Sequence, residues 1–350
     1  RELYRTEGAP RAVVPFELAN SRPIINVRLN GSKTPLRFVI DTGSGMCVLS
    51  AASAERLNIK PVAQGGMARA VGGGGRFEIV YGFLSSLSIG EARVENVPIY
   101  IRQFHNQQEP VDGYIGLSVL AKYLASVDYG QGLLTLLRDS ERPAAPVTTV
   151  TPDQAAATAS LQAQPASNAS TPNTNAPPPT TVTVQPAASR SYELPIRSTS
   201  SGFWSSAVVL DGVQKPLNFI VDTGASISVV SQQLAQTEDM SRFEQKSRIK
   251  IFGAAGVSED VTTLLLPHVT IGTYKHPNLS AAVLDMSAIN ETSGFEQTGI
   301  IGGNILRFFR VTFDFQRGVV QLDPISNRVT PAAPSSREPE TITPTSGATP

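Results

Sequence analysis

Apolar and polar positions alternate along most of this chain in short runs, with the period of strands rather than helices. An apolar-polar run at residues 13–18 opens the pattern. A strand is predicted at 23–29, with Asn30-Gly31 as its hairpin turn, and another at Leu36–Ile40. Residues 77–81 alternate as a strand. Ile89-Gly90 marks a further hairpin that runs on to 97–101, and 127–129 and 133–137 flank a turn at Gly130 and Gly132. Helical stretches are short: 51–57, rich in good helix formers after Ser50, and 117–124. The pattern predicts an all-β fold with a few short helices.

The same plan then recurs. Residues 191–194 open a second copy, 206–210 form a strand with Asp211-Gly212 at its turn, and 217–221 form the next. Ile271-Gly272 matches Ile89-Gly90, and Asn278 matches Asn96. Gly299-Ile300-Ile301-Gly302 matches Gly113-Tyr114-Ile115-Gly116 and precedes a predicted helix at 304–309; strands at 312–315 and 318–322 close the copy. The offset between copies stays at roughly 181 positions until a short insertion around 288–295 raises it to about 186. Two tandem lobes are therefore expected, at 12–138 and 191–324. Between them, 139–190 is dominated by Ala, Thr, Pro, Ser, Gln and Asn, with too few large apolar residues to offset the entropy of ordering. It reads as a disordered linker, and 325–350 as a disordered tail.

Composition narrows the function classes. Acidic and basic residues balance at 29 each, which gives no steering toward nucleic acid or an anionic membrane. No stretch approaches the length of a membrane-spanning helix. The single cysteine, Cys47, lies in an apolar run and reads as a small core residue rather than a nucleophile. The composition of the linker suits an exported protein, periplasmic or secreted.

The chemistry enters at a repeated turn. Phe38-Val39-Ile40-Asp41-Thr42-Gly43-Ser44 in the first copy is answered by Phe219-Ile220-Val221-Asp222-Thr223-Gly224-Ala225 in the second. One Asp-Thr-Gly is an ordinary turn. Here both copies are preceded by Pro-Leu-x-Phe and followed by an apolar stretch ending in Ser, at Ser50 and Ser231. On these motifs both copies resemble the retropepsin-like aspartic proteases, particularly the bacterial gag-type aspartyl proteases, over nearly all of 13–137 and 192–322.

The resemblance implies that each lobe is a small closed β-barrel and that the two lobes face each other across one active site. Asp41 and Asp222 would be the catalytic pair, hydrolysing peptide bonds with an activated water. Thr42 and Thr223 would lock the turns together, and Gly43 and Gly224 would let backbone approach the carboxylates. Ile115-Gly116 and Ile301-Gly302 would pack beside the pair. Flaps are expected at Gly72, Gly73, Gly74 and Gly75 and, in the second copy, around Gly253 and Gly256. The residue after each turn would lie beside its own aspartate. The Ser44 hydroxyl would then favour the ionised form of Asp41, while Ala225 could not do so for Asp222, leaving the shared proton on Asp222. The resemblance implies no metal and no cofactor, and a peptide or protein as substrate. The Ala/Thr/Pro-rich part of the linker, residues 143–189 or about 47 residues, spans roughly 40 Å as a coil, which favours pairing of the lobes within one chain over a homodimer. Two alternatives stay open: a silent peptide-binding module of this fold, and lobes that each pair with a copy of themselves.

Other constellations are poor. His105, His268 and His276 lack metal-ligand spacing, and no G-x-S-x-G is present. The Gly-rich stretch at 72–75 leads into a strand rather than a helix, which argues against phosphate binding.

Overall fold

The computed structural model describes residues 2–62, 67–72, 75–105, 110–142, 191–200 and 202–325. Of the linker expected at 139–190 and the tail expected at 325–350, residues 143–190 and 326–350 lie outside the described residues.

Each half closes a barrel. In the first, Arg22–Leu29, Leu36–Ile40, Gly113–Ile115, Cys47–Ser50, Ala92–Arg102 and Gly75–Ile89 pair in that order, and the last returns to pair with the first. In the second, Trp204–Leu210, Leu217–Val221, Gly299–Ile301, Ser228–Ser231, Tyr274–Leu284 and Gly256–Ile271 do the same. Closure leaves these strands no free edge and encloses an apolar interior, in which Phe38 and Phe219 occupy equivalent buried places. The chain is all-β with two tandem lobes of one fold.

The short helices follow local signals. Ser50 caps Ala51–Arg56 by accepting from the Ser53 amide at 3.1 Å, and Ser231 caps Gln232–Thr237 by accepting from Leu234 at the same distance. Two predicted helices run too far. The helix expected over 117–124 stops at Leu120, and Tyr123–Asp128 is a strand; that expected over 304–309 is Gly303–Leu306, followed by the strand Phe309–Asp314. Pairing across the lobes overrides local helix propensity here. Tyr123–Asp128 and Phe309–Asp314 run antiparallel, with Ala125 opposite Phe313 and Val127 opposite Val311.

Those two strands are the centre of a shared sheet. Its order is Tyr192–Ser198, Val319–Pro324, Phe309–Asp314, Tyr123–Asp128, Leu133–Arg138 and Arg11–Pro15, three strands from each lobe. The sheet ties the lobes together beneath the Asp-Thr-Gly turns. The boundaries also differ from those expected. Arg5–Gly8, ahead of position 12, pairs with Ala92–Arg102. Residues 139–142, expected in the linker, are packed: Arg142 pairs with Asp139 and Asp314, both at 2.6 Å. No described helix is long and apolar enough to cross a membrane.

Candidate active site

Each Asp-Thr-Gly turn sits at the end of a buried strand. Leu36–Ile40 and Leu217–Val221 lie between barrel neighbours, and parallel pairing with Gly113–Ile115 and Gly299–Ile301 fixes their ends. The Asp41 amide donates to the Ile115 carbonyl at 3.0 Å, and the Asp222 amide to that of Ile301 at 3.0 Å. The Leu117 and Gly303 amides then hold the carbonyls of Ser44 and Ala225. Gly116 and Gly302 pack against backbone with no room for a side chain: a Cβ on Gly116 would stand 2.3 Å from the Met46 carbonyl oxygen, and on Gly302 2.6 Å from that of Ile227.

The two turns are bound to one another across the lobes. Thr42 Oγ1 donates to the Val221 carbonyl at 2.8 Å and accepts from the Thr223 amide at 3.0 Å. Thr223 Oγ1 donates to the Ile40 carbonyl at 2.7 Å and accepts from the Thr42 amide at 3.1 Å. Both threonines are buried, so these four bonds are shielded from water. The glycines complete the approach. A Cβ on Gly43 would stand 2.3 Å from the Asp222 carboxyl carbon, and one on Gly224 2.6 Å from that of Asp41. The structure thus brings Asp41, Thr42, Gly43, Asp222, Thr223 and Gly224 together around one pair of carboxyls.

Burial pushes both carboxyls above the ordinary aspartate range, Asp41 further than Asp222. After burial, the neighbouring charge of Asp222 and a hydrogen bond to its carboxyl raise Asp41, against the Gly43 amide and the Arg102 charge. Asp222 is better supplied. Gly224 donates to its Oδ1 at 2.7 Å and Ala225 at 3.2 Å, and the Asp41 carboxyl and the Gly43 amide also favour its charged form. The pair therefore holds one proton between two buried carboxyls, and the larger set of backbone donors favours Asp222 as its ionised member. The contact expected from Ser44 to Asp41 is not the one formed: its hydroxyl donates to the Met46 carbonyl at 2.7 Å, two residues along its own turn. On the other side it is the backbone of Ala225, not its side chain, that reaches the aspartate.

A carboxyl raised in the fold contributes stability below the unfolded aspartate range and loses it as pH rises through the raised value. Asp41→Asn is accordingly expected to melt above wild type near neutral pH, with the gap closing below about pH 4. Thermal unfolding across pH measures this; a gap absent at neutral pH, or one that widens in acid, contradicts a raised Asp41.

The flaps are hairpins. Met67–Gly72 pairs with Gly75–Ile89, Gly72 opposite Gly75, and Glu244–Gly253 pairs with Gly256–Ile271, Gly253 opposite Gly256. Gly73 and Gly74 lie outside the described residues. Gly75 at φ +123° and Gly256 at φ +138° hold backbone that other residues rarely adopt. The tips meet: a Cβ on Gly75 would be 3.9 Å from the Ala255 Cβ. The insertion at 288–295 forms the helix Ser287–Ser293, whose Glu291 pairs with Arg76 on the first flap.

Cys47 is buried, and burial pushes its thiol up to about 11, far from a nucleophile's range. Its sulfur accepts from the Gly116 amide, as Ser228 Oγ does from Gly302 at the equivalent place. His268 bonds Asp211 and His276 bonds Tyr274, both away from the turns in sequence and in partner. Among the described residues, no three His, Cys, Asp or Glu side chains gather as a metal-holding set. Sequence reasoning missed three residues: Arg102 and the side chain of Tyr114, near Asp41, and Arg22 next to Tyr114. Arg102 and Tyr114 both sense the Asp41 charge, and Arg22 hydrogen-bonds the Tyr114 hydroxyl.

Comparison with known proteins gives a consistent picture. Residues 25–119 match the family model described as aspartyl protease, and residues 208–307 match that described as gag-polyprotein putative aspartyl protease. No curated protein matches the chain. Among solved structures, the aspartic proteinase from Irpex lacteus is similar over 90% of this chain and 98% of its own, at 14% identity and a TM-score of 0.52, a likeness of fold. A retropepsin-like aspartic protease from Rickettsia conorii aligns with 39% of this chain and 95% of its own, at 18% identity and a TM-score of 0.26. With a separate family match in each half, the chain belongs to the retropepsin-like aspartyl proteases, as two tandem copies.

Proposed function

We propose that the chain is an aspartic endopeptidase whose catalytic residues are Asp41 and Asp222, acting as one dyad built by the two lobes of a single chain. The observation that carries this reading is the reciprocal threonine lock, which holds two buried carboxyls, one from each half, in one place. Two carboxyls this close retain one proton between them, so the site holds a base and an acid together. Ionised Asp222 takes a proton from water as the water oxygen attacks the peptide carbonyl carbon. Protonated Asp41 donates to the carbonyl oxygen. A proton then passes to the amide nitrogen, the C–N bond breaks, and the dyad returns with one proton. The substrate would lie extended between the turns and the two flap hairpins, pairing as an added strand.

The test is cleavage of denatured casein or a peptide library by the purified chain. Turnover that a pepstatin-type inhibitor removes supports the reading. Binding of such peptides with no turnover would make the chain a silent module of the same fold.

A further inference from the structure

The pseudo-two-fold relation between the lobes allows the two walls of the cleft to be compared position by position. Register defines the equivalences. Tyr114 lies opposite Val39 and Ile300 opposite Ile220, each facing the residue two before an aspartate. Arg102 lies opposite Ser50 and Leu284 opposite Ser231. Arg22 and Phe203 each stand two residues before the partner of those same strand residues, Ile24 and Ser205. The first lobe thus places Arg22, Arg102 and Tyr114 where the second places Phe203, Leu284 and Ile300. On the second side Phe203 and Ile300 belong to a separate apolar cluster, with Leu284 and Ala225 packed against it. One wall is cationic and aromatic; the other is wholly apolar.

The cationic wall faces the reacting centre. Arg102 has its guanidinium 4.8 Å from the Phe104 ring centre, 5.2 Å from that of Phe77 and 5.8 Å from that of Tyr114. Phe77 is on the first flap, and Arg102 Nη1 reaches the Ala254 carbonyl at the tip of the second at 3.2 Å. Arg102 is therefore enclosed by Tyr114 beside Asp41 and by both flaps above. Arg22, only 8% exposed, lies behind Tyr114 and bonds its hydroxyl. Among the described residues Arg102 forms no ion pair, its hydrogen bonds run to the Gln103 and Ala254 carbonyls, and its Nε has no hydrogen-bond partner. A guanidinium stacked in an aromatic cage, hydrogen-bonded only to neutral carbonyls and sensing Asp41 without an ion pair to it, lacks the direct carboxylate partner that such burial ordinarily brings. A carboxylate entering the cleft would exchange a neutral acceptor for a charged one, roughly doubling the strength of the bond.

We propose that the wall of Arg22, Arg102 and Tyr114 receives an acidic side chain of the substrate and the facing wall an apolar one. The preferred scissile bond then has an acidic residue on one side and an apolar residue on the other. This rests on the protease reading and names its substrate class; Arg102 is the specificity-determining residue.

The experiment uses matched peptides carrying Glu, Gln or Leu at each position flanking the scissile bond, as cleavable and as non-cleavable reduced-amide forms. It is run above about pH 5.5, where the free Glu side chain is ionised. Wild type should favour Glu over Gln at one flanking position by about 10- to 100-fold in kcat/KM, and in affinity for the reduced-amide form. Arg102→Leu, which installs the second lobe's residue, should bring that ratio close to one. Leu284→Arg should create a preference for Glu at the other position, a check that does not depend on how Arg102→Leu folds. No Glu preference in wild type, or one that Arg102→Leu leaves unchanged, overturns the proposal. If nothing is cleaved, the protease reading fails, and the reduced-amide affinities still decide what the wall prefers.

Discussion

Asp41→Asn should lower kcat/KM for a peptide substrate by about 10²–10⁴-fold or more, and Asp222→Asn should do the same. The double variant should be little worse than either single one. The reason is geometric. The two carboxyls are buried together, each touched by the glycine of the opposite turn, and they hold one proton as a unit. Removing either leaves no pair able to polarise the carbonyl while activating water, so losses from groups that act together do not add. Initial rates of the three variants on one fluorogenic peptide settle the point. Retention of more than about a tenth of the wild-type rate in either single variant would count against a shared dyad.

The glycines of the turns should be nearly as intolerant. Neither Gly43 nor Gly224 has a positive φ, so backbone strain is not the issue. Their constraint is the opposite carboxyl. The Cβ of Gly43→Ala would fall 2.3 Å from the carboxyl carbon of Asp222, and that of Gly224→Ala 2.6 Å from the carboxyl carbon of Asp41. Atoms cannot remain at that separation, so the lobes must part or the carboxyls must turn. A displacement of about 1 Å at a reacting centre costs on the order of 100-fold in rate. Overpacking of this kind typically costs about 1–3 kcal/mol in stability. Each alanine variant is expected to show both effects, in kcat/KM and in Tm. A Gly43→Ala enzyme within about twofold of wild-type rate would mean that the turns do not pack as closely as described.

Much of this arrangement was legible in the chain because each element appears twice. The repeated Phe-x-x-Asp-Thr-Gly runs are barrel strands in the same register, and Asn96 and Asn278, matched by position, both adopt the left-handed backbone that asparagine tolerates, at φ +55° and +53°. Where reading failed, a distant partner had overridden a local preference. Residues 123–124 look like the continuation of a helix until Tyr123–Asp128 finds Phe309–Asp314 across the molecule. The glycines expected as a flap at 72–75 carry no strand pattern of their own, yet Met67–Gly72 pairs with Gly75–Ile89, Gly72 opposite Gly75. Ser44 was assigned to Asp41 by resemblance, but its hydroxyl finds the nearer Met46 carbonyl. Arg22 and Arg102 carry no motif. A lone arginine in an alternating strand reads as solvent-facing, and only the folded flaps and Tyr114 enclose them. The shared sheet was invisible for a similar reason, since no periodicity specifies which lobe a strand will join.

The proposed function requires that the two halves of one chain build one active site. Mixing the Asp41→Asn and Asp222→Asn proteins tests it most directly, with wild type in the same assay as the reference. Neither variant retains an intact pair within its own chain; lobes exchanged between chains would restore one in the mixture, whereas lobes that paired with their equals would leave each variant active on its own through its unaltered lobe. The mixture is expected to cleave peptide no faster than either variant alone, at any protein concentration. Activity that reappears on mixing and grows with concentration would contradict it.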